Sequence, residues 1–154
     1  MKVNFMLIDD DIIDLFINQK NIEKLEVNSK IKTFDNAISA IKYFEEFENQ
    51  SNTENMFVPD YILLDINMAR MNGFQFISAF KKLNIARKKH IKIYMLSASN
   101  NIKFIDNAKS RRYCNGYISK PLNVDKLNNM LENFQPYLNE YDFQDTDINL
   151  DVVA

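Results

Sequence analysis

Four consecutive apolar residues, Tyr61-Ile62-Leu63-Leu64, lead from Pro59 and Asp60 into a second carboxylate, Asp65. The chain then breaks into Ile66-Asn67-Met68-Ala69-Arg70-Met71-Asn72-Gly73, which contains one of its two glycines. An apolar run without polar alternation predicts a strand buried on both faces, the kind found in parallel sheets covered by helices. Asp65 then falls at the strand's carboxyl end, outside which open α/β sheets bind their ligands. A carboxylate placed there is a candidate nucleophile or metal ligand, although Asp is also a common turn residue. A chain of 154 residues suffices for one such domain and its core, and is too short for two ordinary ones.

The chain before this run repeats the same motif. Residues 3–8 form a first strand candidate ending in Asp9, Asp10 and Asp11, after which Ile12, Ile13, Phe16 and Ile17 set a helical period. One acid is explained as a helix cap, since a carboxylate accepts orphan N–H groups and meets the positive end of the helix dipole. Three are not. Like charges ~4 Å apart repel by roughly 4 kcal/mol at an effective dielectric near ~20, so the cluster implies a cation between the groups.

Residues 31–34 read as a second strand, with Asp35 as the cap of a helix whose core stripe is Ala37, Ala40, Ile41, Phe44 and Phe47. Residues 48–59 are a polar, Asn-rich connection, longer than is typical of such loops, and read as a surface insertion. A helix bearing Phe76, Ile77, Phe80 and Leu83 follows Gly73. Arg87-Lys88-Lys89-His90 reads as a solvated turn, and His90, without a carboxylate or second His nearby, makes a poor metal or triad candidate. A fourth strand over 91–96 ends in Ser97-Ala98-Ser99, with Ser99 as a possible cap for a helix carrying Ile102, Ile105 and Ala108. A fifth strand over 116–119 ends in Lys120-Pro121, before a last helix with Val124, Leu127, Leu131 and Phe134 that Pro136 should end. The tail to Ala154 has five acidic residues, no basic ones and no period, and is expected to be a mobile or loosely docked extension (136–154) outside the domain (1–135).

Composition removes several functions. A net charge of −2 gives no basic field for nucleic acid or an anionic membrane. The single Cys114 excludes an intramolecular disulfide and a Cys-based zinc cluster, which fits a reducing, cytoplasmic compartment. The apolar stretch before Asp9 is too short for a signal peptide or a membrane span.

Strands alternating with helices imply a doubly wound α/β sheet, and right-handed crossovers put every strand's carboxyl end on one edge. Asp9 and Asp10, Asp65, Ser97 and Lys120 converge there from four strands. A pair of acids holding Mg²⁺, an acceptor carboxylate, a hydroxyl and a lysine make a phosphoryl-binding site. At such a site Lys120 and a metal held by the acids would neutralise the phosphoryl oxygens while the Asp65 carboxylate attacks in line. Magnesium is favoured because the ligands are hard oxygens.

The chain resembles the response-regulator receiver domain in Leu7-Ile8-Asp9-Asp10-Asp11, Leu63-Leu64-Asp65-Ile66-Asn67-Met68 through Met71-Asn72-Gly73, Leu96-Ser97-Ala98 and Gly116-Tyr117-Ile118-Ser119-Lys120-Pro121. The resemblance covers residues 1 to about 135 and implies a five-stranded parallel sheet in the flavodoxin-like order 2-1-3-4-5, with helices on both faces. It implies that Asp65 accepts a phosphoryl group from a sensor histidine kinase or a histidine phosphotransfer protein. Asp9, Asp10 and the backbone carbonyl of Asn67 would then ligate Mg²⁺ with Asp65, and Ser97 and Lys120 would sense the phosphoryl group. Tyr117 resembles the family's switch aromatic, and the Lys120-Pro121 bond is cis in that family. Ala69 stands where the family usually has proline, which removes a φ restraint from the loop after Asp65. The tail matches no recognisable output domain, so the implied protein is a stand-alone receiver that signals through a protein partner and turns over no separate substrate.

Two other readings stay open. A haloacid-dehalogenase-like phosphatase also uses an Asp nucleophile and Mg²⁺, but its DxDxT-type motif is not met by Asp9-Asp10-Asp11-Ile12-Ile13. A receiver fold serving as a phosphorylation-independent binding module would keep every group named above.

Overall fold

The computed structural model describes residues 2–50, 54–98 and 114–133. The described elements are β1 (Lys2–Ile8), α1 (Ile12–Glu23), β2 (Asn28–Phe34), α2 (Ala37–Asn49), β3 (Tyr61–Asp65) and α3 (Gly73–Lys82). A 3₁₀ turn (Lys88–His90), β4 (Lys92–Ser97), β5 (Gly116–Ser119) and α4 (Val124–Glu132) follow. The five strands form one parallel sheet in the order β2-β1-β3-β4-β5. The expected α/β fold and strand order are therefore observed. The helix expected around 102–108, Ser99, Phe134 and the 136–154 tail lie outside the described residues.

Alternation along the central strands divides the core into two. Met6, Ile8, Ile62, Leu64, Ile93 and Met95 face α2 and α3, while Val3, Phe5, Leu7, Tyr61, Leu63 and Leu96 face α1 and α4. All five residues of β3 are buried, as an unalternating apolar strand requires. The α2 stripe is buried as expected, at Ala37, Ala40, Ile41, Phe44 and Phe47. Phe44 meets Phe80 of α3 edge-on, ring centroids 4.9 Å apart. On α4, Leu127 and Met130 are buried, and Val124 and Leu131 pack against them half-buried.

Two expectations are corrected, and the face that α1 turns to the core is newly defined. The apolar residues that set the period of α1 do not face the core: Ile12, Ile13, Phe16 and Ile17 are 71%, 66%, 61% and 44% exposed, while Leu15, Asn18 and Ile22 are buried. The cap of α2 is Asn36, which accepts from the Ser39 N–H at 2.7 Å; Asp35 instead accepts from the Asn36 amide. The connection after α2 is not wholly a surface insertion. Met56, Phe57 and Val58 pack half-buried on the core, the Tyr43 hydroxyl donates to the Phe57 carbonyl, and Asn4 Nδ2 donates to the Val58 carbonyl.

The basic turn after α3 is also more than solvated surface. Arg87 adopts a left-handed φ of 66°, and the Lys88 ammonium donates to the Lys81 and Leu83 carbonyls at the end of α3. The last turn of a helix offers carbonyls to donors outside its own ladder, and the Lys88 side chain is such a donor at the end of α3. His90 is exposed, as expected.

Candidate phosphoryl and metal site

The register places the chemistry. Asp65 ends β3 opposite Leu96, and the next residue of β4, Ser97, pairs with Ser119 of β5, one residue before Lys120. Asp9 follows the last residue of β1, and its N–H still bonds to the Phe34 carbonyl of β2 at 3.2 Å. The acids, the hydroxyl and the lysine thus share the sheet's carboxyl edge.

Asp9, Asp65 and Ser97 are buried and Asp10 is exposed. One carboxylate oxygen from each of Asp9, Asp10 and Asp65 lies within 4.8 Å of the other two. Lys120 Nζ lies 2.8 Å from Asp9 Oδ2 and 3.0 Å from Asp65 Oδ1. It also lies 2.9 Å from Asp14 Oδ2 on α1, a contact with a residue that the sequence reading did not single out.

Burial pushes the Asp65 carboxyl above its ordinary pKa; Lys120 opposes this, and Asp9 and Asp10 add to it by repulsion. Asp9 is raised in the same way, with burial outweighing Lys120 and the Asp11 N–H. Desolvation alone would lower the Lys120 ammonium, but its bonds to Asp9, Asp14 and Asp65 outweigh it, and the net shift is upward. Burial is the main reason that both acids are raised, and the geometry sets three carboxylates around one ammonium, which leaves negative charge in excess. A hard divalent cation at Asp9, Asp10 and Asp65 would remove the imbalance, and an all-oxygen donor set fits Mg²⁺.

The loops that present these groups are tightly held. After Asp65 the Met71 N–H returns to the Ala69 carbonyl at 2.8 Å around Arg70, whose φ of 66° is left-handed. Asn72 and Gln75 form a reciprocal capping box that starts α3. Gly73 sits so close to the strand that an added Cβ would lie 2.7 Å from the Asp65 carbonyl oxygen. The Ala69 N–H donates to Asp10 Oδ2 at 3.0 Å, a bond that proline at this position cannot make. Lys120 precedes a cis bond to Pro121. Its own N–H donates to the Ser97 carbonyl at 2.7 Å, while Lys126 Nζ donates to the Ser119 and Pro121 carbonyls and Asn21 Nδ2 to the Leu122 carbonyl. Asn21 and Lys126 had no sequence signal, since both act on backbone far away or across a turn.

Asn67 is exposed in the loop after Asp65. Tyr117 pairs with Met95 in the sheet and packs half-buried against the core cluster facing α2 and α3, one of whose members is Cys114. Burial raises the Cys114 thiol, while hydrogen bonds that include one with Tyr117 oppose the rise.

This chain belongs to the response regulator receiver domain family, whose sequence model matches residues 5–132. Among solved structures it is similar to a two-component response regulator from Cytophaga hutchinsonii, with 28% identity over 86% of this chain and 97% of that one and a TM-score of 0.72. A response regulator receiver protein from Dyadobacter fermentans DSM 18053 shares 28% identity over the same shares of the two chains, with a TM-score of 0.69. The receiver domain of the sensor histidine kinase PA1611 from Pseudomonas aeruginosa PAO1, solved with a magnesium ion coordinated in its active site cleft, has the same fold. Its identity is 16%, its TM-score 0.64, and the match covers 86% of this chain and 97% of that one. Among curated proteins none matches the chain. Receiver domains are signalling domains of two-component systems rather than enzymes that turn over a separate substrate. No described helix is long and apolar enough to cross a membrane.

Proposed function

We propose that this receiver accepts a phosphoryl group on Asp65 in a Mg²⁺-dependent reaction and passes the resulting change to a protein partner. The observation that carries the reading is the Lys120 ammonium 3.0 Å from Asp65 Oδ1, inside a cluster of three carboxylates. Asp9, Asp10, Asp65 and the Asn67 carbonyl would hold the metal, which supplies positive charge to the phosphoryl oxygens. The Asp65 carboxylate oxygen forms the new bond to phosphorus as the bond from phosphorus to the donor's imidazole nitrogen breaks, and the imidazole leaves with the bonding electrons. Lys120 and Ser97 then hold phosphoryl oxygens, and Tyr117 repacks as Ser97 moves.

The donor has to bring its phosphoryl group to the rim beside Asp65. Ile12, Ile13, Phe16 and Ile17 are exposed on α1, which begins two residues after Asp10, and apolar exposure of this kind suits a helical face of a sensor histidine kinase or histidine phosphotransfer protein. The downstream target is a second protein. The net charge of −2 and the lack of a basic stripe favour neither nucleic acid nor membrane, and a cytoplasmic location follows from such partners. The reading takes residues 1–135 as the receiver and 136–154 as an acidic tail.

Incubation with a small phosphodonor and Mg²⁺ should add one phosphoryl group by intact mass and none in Asp65→Asn. Undiminished labelling of that variant would overturn the assignment.

A further inference from the structure

Asp14 has no part in the chemistry described above, yet its Oδ2 lies 2.9 Å from Lys120 Nζ. It stands in the first turn of α1, where its own N–H is capped by Asp11, and its side chain is 38% exposed against 2% for Asp9 and 9% for Asp65. An ammonium has three N–H donors and no acceptor. Asp9 and Asp14 accept two of them at 2.8 and 2.9 Å, and Asp65 Oδ1 lies 3.0 Å away as an ion pair. Asp9 and Asp65 belong to the proposed site and Asp14 does not.

Phosphorylation of Asp65 would turn one site acceptor into a group with more oxygens and more negative charge. The lysine's hold on that group competes with its remaining contacts. Asp9 would be engaged by the metal, so Asp14 is the competitor that remains. It acts in the same direction by charge, since a carboxylate beside the ammonium offsets the attraction Lys120 exerts on a phosphoryl oxygen.

Taking Asp65 as the phosphoacceptor, we propose that Asp14 is a positioning residue that holds Lys120 toward α1 and thereby weakens its bond to the phosphoryl group. Asp14 then sets how long the signal lasts, and it does so from the first turn of the helix whose apolar face is exposed.

The test is the binding of beryllofluoride, a mimic of the aspartyl phosphoryl group, by the full chain in Mg²⁺, measured by isothermal titration. Lifetimes of the Asp65 phosphate are followed by intact mass. Asp14→Asn should bind beryllofluoride about threefold more tightly than wild type and keep its phosphoryl group about threefold longer, the scale of a half-exposed ion pair. Asp14→Glu, which keeps a carboxylate beside the lysine, should stay near wild type. Glu23→Gln removes the same charge from the far end of α1 and should change neither quantity. Unchanged or weaker binding by Asp14→Asn overturns the inference, as does an equal gain in Asp14→Glu or Glu23→Gln. Wild-type protein that binds no beryllofluoride removes the reading of Asp65 and this inference with it, whereas normal wild-type binding with an inert Asp14→Asn removes the inference alone.

Discussion

Helices α1 and α2 are built from similar materials and used in opposite ways. Both start on a side-chain cap, Asp11 for α1 and Asn36 for α2, and both carry a run of large apolar residues. α2 buries its whole stripe against the sheet and α3. α1 buries Leu15, Asn18 and Ile22 and leaves two isoleucines, a phenylalanine and a third isoleucine in water beside the acid edge. Apolar exposure on this scale opposes solubility, so on the proposed reading this face of α1 serves a contact while Leu15 and Ile22 serve the core. The lesson is that an apolar stripe locates a helix but does not say which side of it the protein uses.

The sharpest way to break the contrast is a truncation on each helix. Phe44→Ala should cost about 3–5 kcal/mol, the range for deleting a fully buried aromatic ring, read by urea denaturation. A loss under about 1 kcal/mol would mean that α2 is not the structural helix of the pair. Phe16→Ser should change stability by no more than about 0.5 kcal/mol while slowing phosphotransfer from a histidine-phosphorylated donor protein about tenfold. Equal stability losses for the two variants would erase the distinction.

Between these in size lies the metal. Mg²⁺ at a hundred times its dissociation constant should stabilise the fold by about 2.7 kcal/mol, and Asp10→Asn should lose most of that gain while leaving α2 untouched. The pH dependence without metal sharpens the point. Asp9 and Asp65 have folded-state pKa values above their ordinary ones, so the native protein keeps protons that the unfolded chain has given up. Stability should therefore fall as the pH rises from the ordinary carboxylate pKa through the raised values, and Mg²⁺ or Asp65→Asn should flatten the fall. The stabilisation from Lys120 is fully present below the ordinary lysine pKa and is lost only far above it, because its shift is also upward. Melting temperatures across pH 4–8, with and without Mg²⁺, give the sign directly.

The smallest effect concerns the loop after Asp65. Ala69→Pro restores the residue usual in the family and deletes the N–H that donates to Asp10 Oδ2. We expect a loss of about 0.5–1.5 kcal/mol by urea denaturation, the net worth of one hydrogen bond. A gain would show that the φ restraint matters more than the bond.

What the sequence made legible follows from the range of the forces involved. Strands β1, β3 and β5, the α2 and α3 stripes and the convergence of Asp9, Asp65, Ser97 and Lys120 all follow from period and from crossover handedness, which are local or topological. The solvent face of α1 was not legible, because Ile12, Ile13, Phe16 and Ile17 recur at helical spacing just as a core stripe does. The inner face instead runs through Asn18, a polar residue that no hydrophobic period would pick. Asp14, Lys88 and residues 56–58 were missed for another reason. Each acquires its role from a partner that only the folded chain brings near, such as Lys120, 106 residues away from Asp14.

The strand order also fixes when, during synthesis, the acid edge becomes electrically tolerable. β1 lies between β2 and β3, so Asp9 and Asp65 are side by side as soon as the third strand docks, while Lys120 is still to be made. It follows Asp9 by 111 residues, which at ~5–20 residues per second is roughly 5 to 20 s of translation. A nascent chain that docked β3 on β1 before β5 was made would hold its carboxylates together without their ammonium. A divalent cation from the surrounding fluid, or a retained proton, would have to act as counterion until the last strand emerges from the ribosome.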